Sequence, residues 1–425
     1  MDDALTPLTS DNASNVGRTY TVRHVDRYLD EAARRHPALM LTGPRACGKT
    51  TTALRRVRST IRLDDPRQRS AFGGSPDAYL ERLTPPVLLD EWQESPDSMS
   101  AVKRAVDSGA PAGSLFVTGS VRARRTGQTW PGTGRVVPVR MWGLTMAERL
   151  GLTGASSVID RFMSGEEPSP EPGTLDTFDY VAEAAKGGFP EALTLDETGR
   201  DEWFDGYANQ LIGRDATELA DVRAPGRLMA LVKALALNTA GSPTVATLIE
   251  ASGANGRTVA RYLDLLTDLC VIERLPAWGT GRTARLHKAP RVHMADTGLA
   301  MWLAGVSAEG VLRDGDLLGR VIESFVMAQL RPLLPLSRTR PTAYHLRDAT
   351  QRREVDIVLE GRDGAIVGIE VKAATTATPS DAKHLRWLQQ LTGDSFKQGL
   401  VLHTGPLTYP LGEGIWAAPI STIWT

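Results

Sequence analysis

The stretch MLTGPRACGKTT, Met40 to Thr51, decides how the rest of the chain is read. Gly43 and Gly48 bracket Pro44, Arg45, Ala46 and Cys47, and Lys49 and Thr50 follow at once. That is the G-x-x-x-x-G-K-[ST] spacing of a phosphate-binding loop. Apolar Ala38 and Leu39 lead in as a strand would, and Ala53-Leu54-Arg55-Arg56 leads out as a helix would. The chemistry accounts for the spacing. Gly43 lets the chain turn sharply off the strand, and Gly48 lets backbone N–H groups close on phosphate oxygens with no Cβ in the way. The amides from Gly43 to Thr51, with the positive end of the helix behind them, form an anion cradle. Lys49 is expected to reach the β and γ phosphates of ATP, and the Thr50 hydroxyl to ligate Mg²⁺. Cys47 is expected to turn its side chain away from the phosphates.

Composition sets the outer limits. A chain of 425 residues holds about two or three domains. With 41% hydrophobic and 23% charged residues it reads as a globular, soluble protein with ample core. No apolar run approaches the ~20 residues of a membrane span, so no membrane partner is expected. Residues 1–19 open with MDDALTPLTSDNASNVG, acidic and polar, which reads as a disordered tail and not a signal peptide. The two cysteines, Cys47 and Cys270, argue for a reducing, cytoplasmic setting without disulfides. A net charge of -1 means that any nucleic-acid surface must be local.

Downstream, PPVLLDEWQ reads as a buried strand, Val87 to Leu89, with Asp90 and Glu91 emerging at its C-terminal end, where open parallel sheets bind ligands. Asp90 is placed to hold Mg²⁺ through water, and Glu91 to orient or deprotonate the attacking water. A third strand, SLFVTGS, ends in Thr118 and Ser120, hydroxyls suited to sensing the γ-phosphate; an ordinary turn is the alternative.

Strands feeding loop, acid pair and sensor come in the order of an AAA-type ATPase core. From about Tyr20 onward the chain resembles the prokaryotic AAA-superfamily ATPases that carry a C-terminal domain of unknown function. The resemblance rests on RLDDP (62–66), LLDEWQ (88–93), FVTGS (116–120) and GRVVPVRMWGLTMAE (134–148), then GGFPEA (187–192), GRDATEL (213–219) and HMADTGLA (293–300). It implies ATP as ligand. One departure is that Gly143 and Thr145 stand where Pro and Ser are expected before the glutamate, in a turn.

Residues 164–176, SGEEPSPEPGTLD, are too polar to pack and read as an exposed loop or linker. Beyond them, TVATLIEASGANGRTVARYLDLLTDLCVIERL reads as helix, turn, helix and strand, and a Gly-rich loop returns to a second strand. That is the order of a winged helix. Arg257 and Arg261 lie on the polar side of its second helix, with Arg282, Arg285, Lys288 and Arg291 marking the wing. Local cations of this kind suit DNA; a lid packed on the ATPase, or a protein partner, is the alternative. Arg214 and Arg135 are either γ-phosphate arginines or ordinary surface pairs.

In the last hundred residues REVDIVLE alternates so that Glu354, Asp356 and Val358 share one face and Val355, Ile357 and Leu359 the other. AIVGIEVKAA sets Glu370 and Lys372 together, and the helix GRVIESFVMAQL presents Glu323. This order of helix, strands, helix and strand resembles the restriction-endonuclease-like PD-(D/E)XK nuclease core. The resemblance implies that Asp356, Glu370 and Glu323 gather Mg²⁺ while Lys372 steadies the attacking water. The alternative is an inert ionic cluster. The chain is thus expected to be α/β throughout. The expected units are a P-loop AAA-type parallel-sheet ATPase domain (20–163), a polar linker (164–178), a helical and winged-helix region (179–310) and a nuclease-like α/β domain (311–425).

Overall fold

The structure, a computed structural model, describes residues 20–425 apart from 96, 120–132, 155–156, 170–171, 217–221, 223, 282–288 and 349–351. The first unit is a sheet of β1 (Ala38–Thr42), β2 (Ser59–Arg62), β3 (Val87–Asp90), β4 (Leu115–Gly119) and β5 (Val136–Arg140) in the order β2-β3-β4-β1-β5. Every pairing is parallel. A parallel sheet is covered on both faces, so its strands are apolar throughout. In β1, Ala38 and Met40 join Ile61, Val87, Leu89 and Val117 on one side, while Leu39 and Leu41 join Leu29, Leu88 and Phe116 on the other. The insertion of β4 between β1 and β3 has a consequence for the site. It brings the loop after β1 and the acids after β3 to one edge, with the end of β4 between them.

The middle region is helical. Helices Pro225–Leu237, Val245–Ser252 and Gly256–Asp268 precede an antiparallel hairpin of β6 (Ile272–Leu275) and β7 (Arg291–Met294). Val259, Tyr262, Leu265 and Leu266 face a core shared with Leu228, Leu231 and Leu248. Asn255 caps Gly256–Asp268 by accepting the Thr258 N–H, and Thr244 caps Val245–Ser252 likewise.

A mixed sheet closes the chain: β8 (Thr342–Arg347), β9 (Glu354–Glu360), β10 (Ile366–Lys372), β11 (Phe396–His403), β12 (Tyr409–Gly412) and β13 (Ile415–Pro419), ordered β12-β13-β11-β10-β9-β8. Helix Gly315–Leu330 covers one face and helix Lys383–Thr392 the other. Strict alternation in β9 does not hold. Between Val358 and Val355 the register against β8 shifts, because Tyr344 to Leu346 opposes that longer step. The bulge turns Val355 and Val358 to the same face, with Ile357 and Leu359 on the other. The Asp356 carboxylate accepts the Val371 N–H at 2.9 Å, beyond the last β9–β10 pair, Ile357 with Ile369.

The helices flanking the Pro/Glu-rich stretch go with this last sheet. Ile159, Phe162 and Met163, and Tyr180 and Val181, pack with Val367, Ile369 and Phe325. The stretch between them is polar, yet it is tied to the sheet by its backbone. The Glu166 carbonyl accepts from Gln398 at 2.7 Å, Ser169 O accepts from Thr408 at 2.8 Å, and Gly173 N donates to Pro406 O at 2.8 Å. Backbone groups, two carbonyls and one amide, supply these contacts.

The parallel sheet and the helical region meet backbone to backbone. Leu144 N donates to Gly188 O at 2.6 Å, and Gly188 N donates to buried Asp296 at 2.7 Å. Arg331 stacks on Trp142 at 3.7 Å and reaches the Ala295 carbonyl at 2.6 Å. A Cβ on Gly188 would stand 2.7 Å from the Leu144 oxygen, which is backbone and cannot swing aside. Gly188→Ala is therefore expected to cost about 1–3 kcal/mol by overpacking. Calorimetry should show a lowered Tm, and an unchanged one would mean that this joint is loose.

Candidate functional site

Gly43 leaves β1 at φ +149, where a Cβ would lie 2.1 Å from the Met141 carbonyl oxygen; no other residue fits. Ala46 (φ +60) and Gly48 (φ +95) carry the loop through two left-handed turns into helix Lys49–Leu54. Cys47 is fully buried among Leu39, Leu41 and Met141, facing away from the loop mouth. The Lys49 ammonium rests on the loop itself, donating to Pro44 O at 2.8 Å and Gly43 O at 3.3 Å. Thr50 Oγ1 donates to Asp90 Oδ1 at 2.8 Å, and Thr118 Oγ1 makes a short hydrogen bond to the same oxygen. Hydroxyl and carboxylate oxygens side by side are the hard donors that Mg²⁺ takes.

Glu91 sits in the left-handed region at φ +53, half-buried, and Gln93 donates to its carboxylate. The turn is pressed against the end of β4: a Cβ on Gly119 would come 2.5 Å from the Trp92 indole. Of the two hydroxyls expected to sense the γ-phosphate, Thr118 is fully buried and bonded to Asp90. Ser120 lies outside the described residues.

Two residues that no motif flagged hold the loop from behind and above. Arg23, buried, donates to the Cys47 carbonyl at 2.9 Å and the Trp142 carbonyl at 2.7 Å, and pairs with buried Glu148 at 3.0 Å. Tyr207, from helix Glu197–Gln210, donates to the Arg45 carbonyl at 3.4 Å. It stacks on Trp203 with centroids 5.0 Å apart, and both rings adjoin Phe189. Burial pushes the Tyr207 phenol well above its usual range. Arg23 lies twenty residues from the loop and Tyr207 far beyond it, so local spacing carried no signal for either.

The basic residues divide. Arg257 and Arg261 are exposed on helix Gly256–Asp268. Arg282, Arg285 and Lys288 lie outside the described residues. Arg135 pairs with Asp107 at 2.9 Å, while the Arg214 side chain is outside the description. Arg291 corrects the sequence reading. It does not mark an exposed wing but is buried in β7, donating to Glu323, Glu354 and, at 3.2 Å, Asp356. The polarity of the residue predicted exposure; three facing carboxylates made burial tolerable.

The C-terminal acids gather where the sequence put them, around cations from the protein. Beside the Arg291 group, Lys372 lies 3.4 Å from Glu370, and His384 lies 3.8 Å from its other oxygen. Burial raises the Glu323 carboxyl well above the usual range, with Asp356 adding to the effect. The same two causes push Glu370 up to about 7, against the pull of His384 and Lys372. Among the described residues no group of three His, Cys, Asp or Glu side chains is arranged to hold a metal ion.

Residues 35–150 match the AAA domain family, residues 177–310 a domain of unknown function (DUF8612) and residues 318–423 a domain of unknown function (DUF4143). With the parallel sheet and its loop, these define a P-loop ATPase of the AAA class. More particularly, this AAA domain stands in one chain with a C-terminal DUF4143 domain. Uncharacterized proteins of Mycobacterium tuberculosis and Mycobacterium bovis are each 27% identical over 405 residues, spanning 93% of this chain and 83% of theirs. A solved Walker-type ATPase of Pyrococcus abyssi is 15% identical, covers 65% of this chain and 94% of its own, and superposes with a TM-score of 0.37, too low to bear on the fold. Among the described residues no helix is long and apolar enough to cross a membrane.

The Glu370 carboxyl yields a pH test. Its folded pKa, about 7, lies above the ordinary 4.5, so its contribution to stability is complete below pH 4.5 and is lost as pH rises through 7. The full loss is roughly 3 kcal/mol at 1.36 kcal/mol per unit. Glu370→Gln keeps the neutral shape and should gain stability on wild type by about that amount between pH 5 and 8. Urea melts at the two pH values read the difference; parallel curves would show that the carboxyl is not so perturbed.

Proposed function

We propose that the protein binds and hydrolyses ATP with Mg²⁺ at the loop, and that the nucleotide cycle moves the helical region relative to the ATPase sheet to act on DNA. The observation that carries the reading is the Thr50–Asp90 hydrogen bond of 2.8 Å at the C-terminal edge of the sheet, beside Lys49. Thr50 and Asp90 are the residues that would hold Mg²⁺, whose chemistry is to offset charge on the β and γ phosphates. Lys49 exchanges the Gly43 and Pro44 carbonyls for phosphate oxygens. The backbone amides of residues 43–51 carry the remaining phosphate charge. Glu91 orients the attacking water and takes its proton, once Gln93 has released the carboxylate it now holds.

The helical region is placed to sense that exchange. Its Tyr207 sits on the Arg45 carbonyl, inside the loop that must close on phosphate. A lid and a DNA reader are then one body, since Arg257 and Arg261 are exposed on the same region. One observation favours a second reading, a slow nucleotide switch whose C-terminal domain is an interaction platform for a protein: the acidic cluster there already holds Arg291.

Lys49→Ala is expected to abolish tight ATP binding and turnover, whereas Glu91→Gln should bind ATP and hydrolyse it about 10²-fold to 10⁴-fold more slowly. Nucleotide retention measured beside phosphate release separates the two, and undiminished release by Lys49→Ala would remove the loop from the chemistry. On duplex DNA, affinity should fall with salt, and Arg257→Ala with Arg261→Ala should flatten the log–log slope by roughly 0.9 for each phosphate no longer neutralised. No gel shift at low salt would leave the lid and protein-partner reading.

A further inference from the structure

We propose that the acidic cluster of the C-terminal domain is an interdomain lock closed by Arg291, and that it does not take a divalent metal. Glu323 comes from helix Gly315–Leu330, and Glu354 and Asp356 come from β9; all three belong to the last sheet and its cover. Arg291 comes from β7, the second strand of the hairpin that completes the helical region. One guanidinium nitrogen donates to both Glu323 and Asp356, and the other terminal nitrogen donates to Glu354. The fork spans three carboxylates because its donors are fixed in a plane, a geometry that a lysine ammonium lacks.

A divalent ion needs oxygen ligands at about 2.0–2.6 Å converging on one point. In this cluster the guanidinium occupies that point. The second Asp356 oxygen is also committed, accepting the Val371 N–H at 2.9 Å beyond the last β9–β10 backbone pair. Glu370, near enough to Asp356 to feel its charge, faces the Lys372 ammonium at 3.4 Å and the His384 ring at 3.8 Å. Glu323, Glu354 and Asp356 are thus matched by Arg291, and Glu370 by Lys372.

The placement makes the arginine a lock and not a surface pair. Its side chain is only 7% exposed, so its separation from the acids would leave charges buried on both sides. Yet it lines an open cleft of about 440 Å³ between the two regions, together with Asn238, Arg320 and Arg347. The hairpin and the sheet can therefore be separated only by drawing Arg291 out of the cluster. The lock joins the hairpin to the C-terminal domain and stands whether or not the loop hydrolyses ATP.

Two measurements on the full chain test this. In Mn²⁺ titrations followed by electron paramagnetic resonance without nucleotide, wild type and Asp356→Asn should bind alike. A site present in wild type and absent from Asp356→Asn overturns the proposal. The second is a double-mutant cycle in urea with Arg291→Met and Glu323→Gln. The double variant should be more stable than the sum of the singles by about tenfold or more in the unfolding constant, because Glu323→Gln removes a charge that Arg291→Met strands. Additive losses overturn the lock. If Arg291→Met alone does not fold, a soluble, cooperatively melting double variant supports the lock, and an insoluble one counts against it.

Discussion

Asp90 is the group on which the rest of the site depends. It is buried at the end of β3, and one of its oxygens takes hydroxyls from both Thr50 and Thr118. Those hydroxyls come from the helix after β1 and from β4, so a single carboxylate ties together three neighbouring elements of the sheet. The arrangement requires the strand order found here: only with β4 between β1 and β3 do a loop threonine and a β4 threonine flank the acid. A buried carboxylate without such donors would be costly. Satisfied by hydroxyls, it is pre-set beside Lys49, in an environment where water contributes little screening.

The same logic of pairing buried charge recurs at each junction between regions. Arg23 joins the first helix to the loop and to Glu148. Arg331 joins the C-terminal helix to Glu273, to the Ala295 carbonyl and to the Trp142 face. Asp296, whose carboxyl is raised by burial, caps helix Thr297–Ala304 and holds the Gly188 amide. Polar joints of this kind fix geometry while leaving the units separable, because each charge has water as an alternative partner once the units part.

Much of the ATPase half was legible from local spacing. A loop that must wrap phosphate needs Gly43 and Gly48 at fixed offsets, and an acid that must meet it follows an apolar strand; both requirements act within a few residues. In the C-terminal half the acids, the lysine and the order of elements were legible too. The β9 alternation was not, since a bulge depends on the partner strand. Nor was Arg291: in sequence it is one of several basic residues near a hairpin, and only the approach of a second region shows that it faces Glu323, Glu354 and Asp356.

The sequence by itself determined the phosphate loop, the acid pair after β3, the helix–turn–helix–hairpin order and the acids of the last sheet, because backbone sterics and strand periodicity operate over short distances. Tertiary structure decided the partner of each charge. Thr118 turned to Asp90, Tyr207 came to rest on the loop, and a guanidinium settled among Glu323, Glu354 and Asp356. Those outcomes depend on which surfaces meet. A charge is neutralised by whatever lies within a few ångströms of it in space, and that neighbour is set by packing, not by position along the chain.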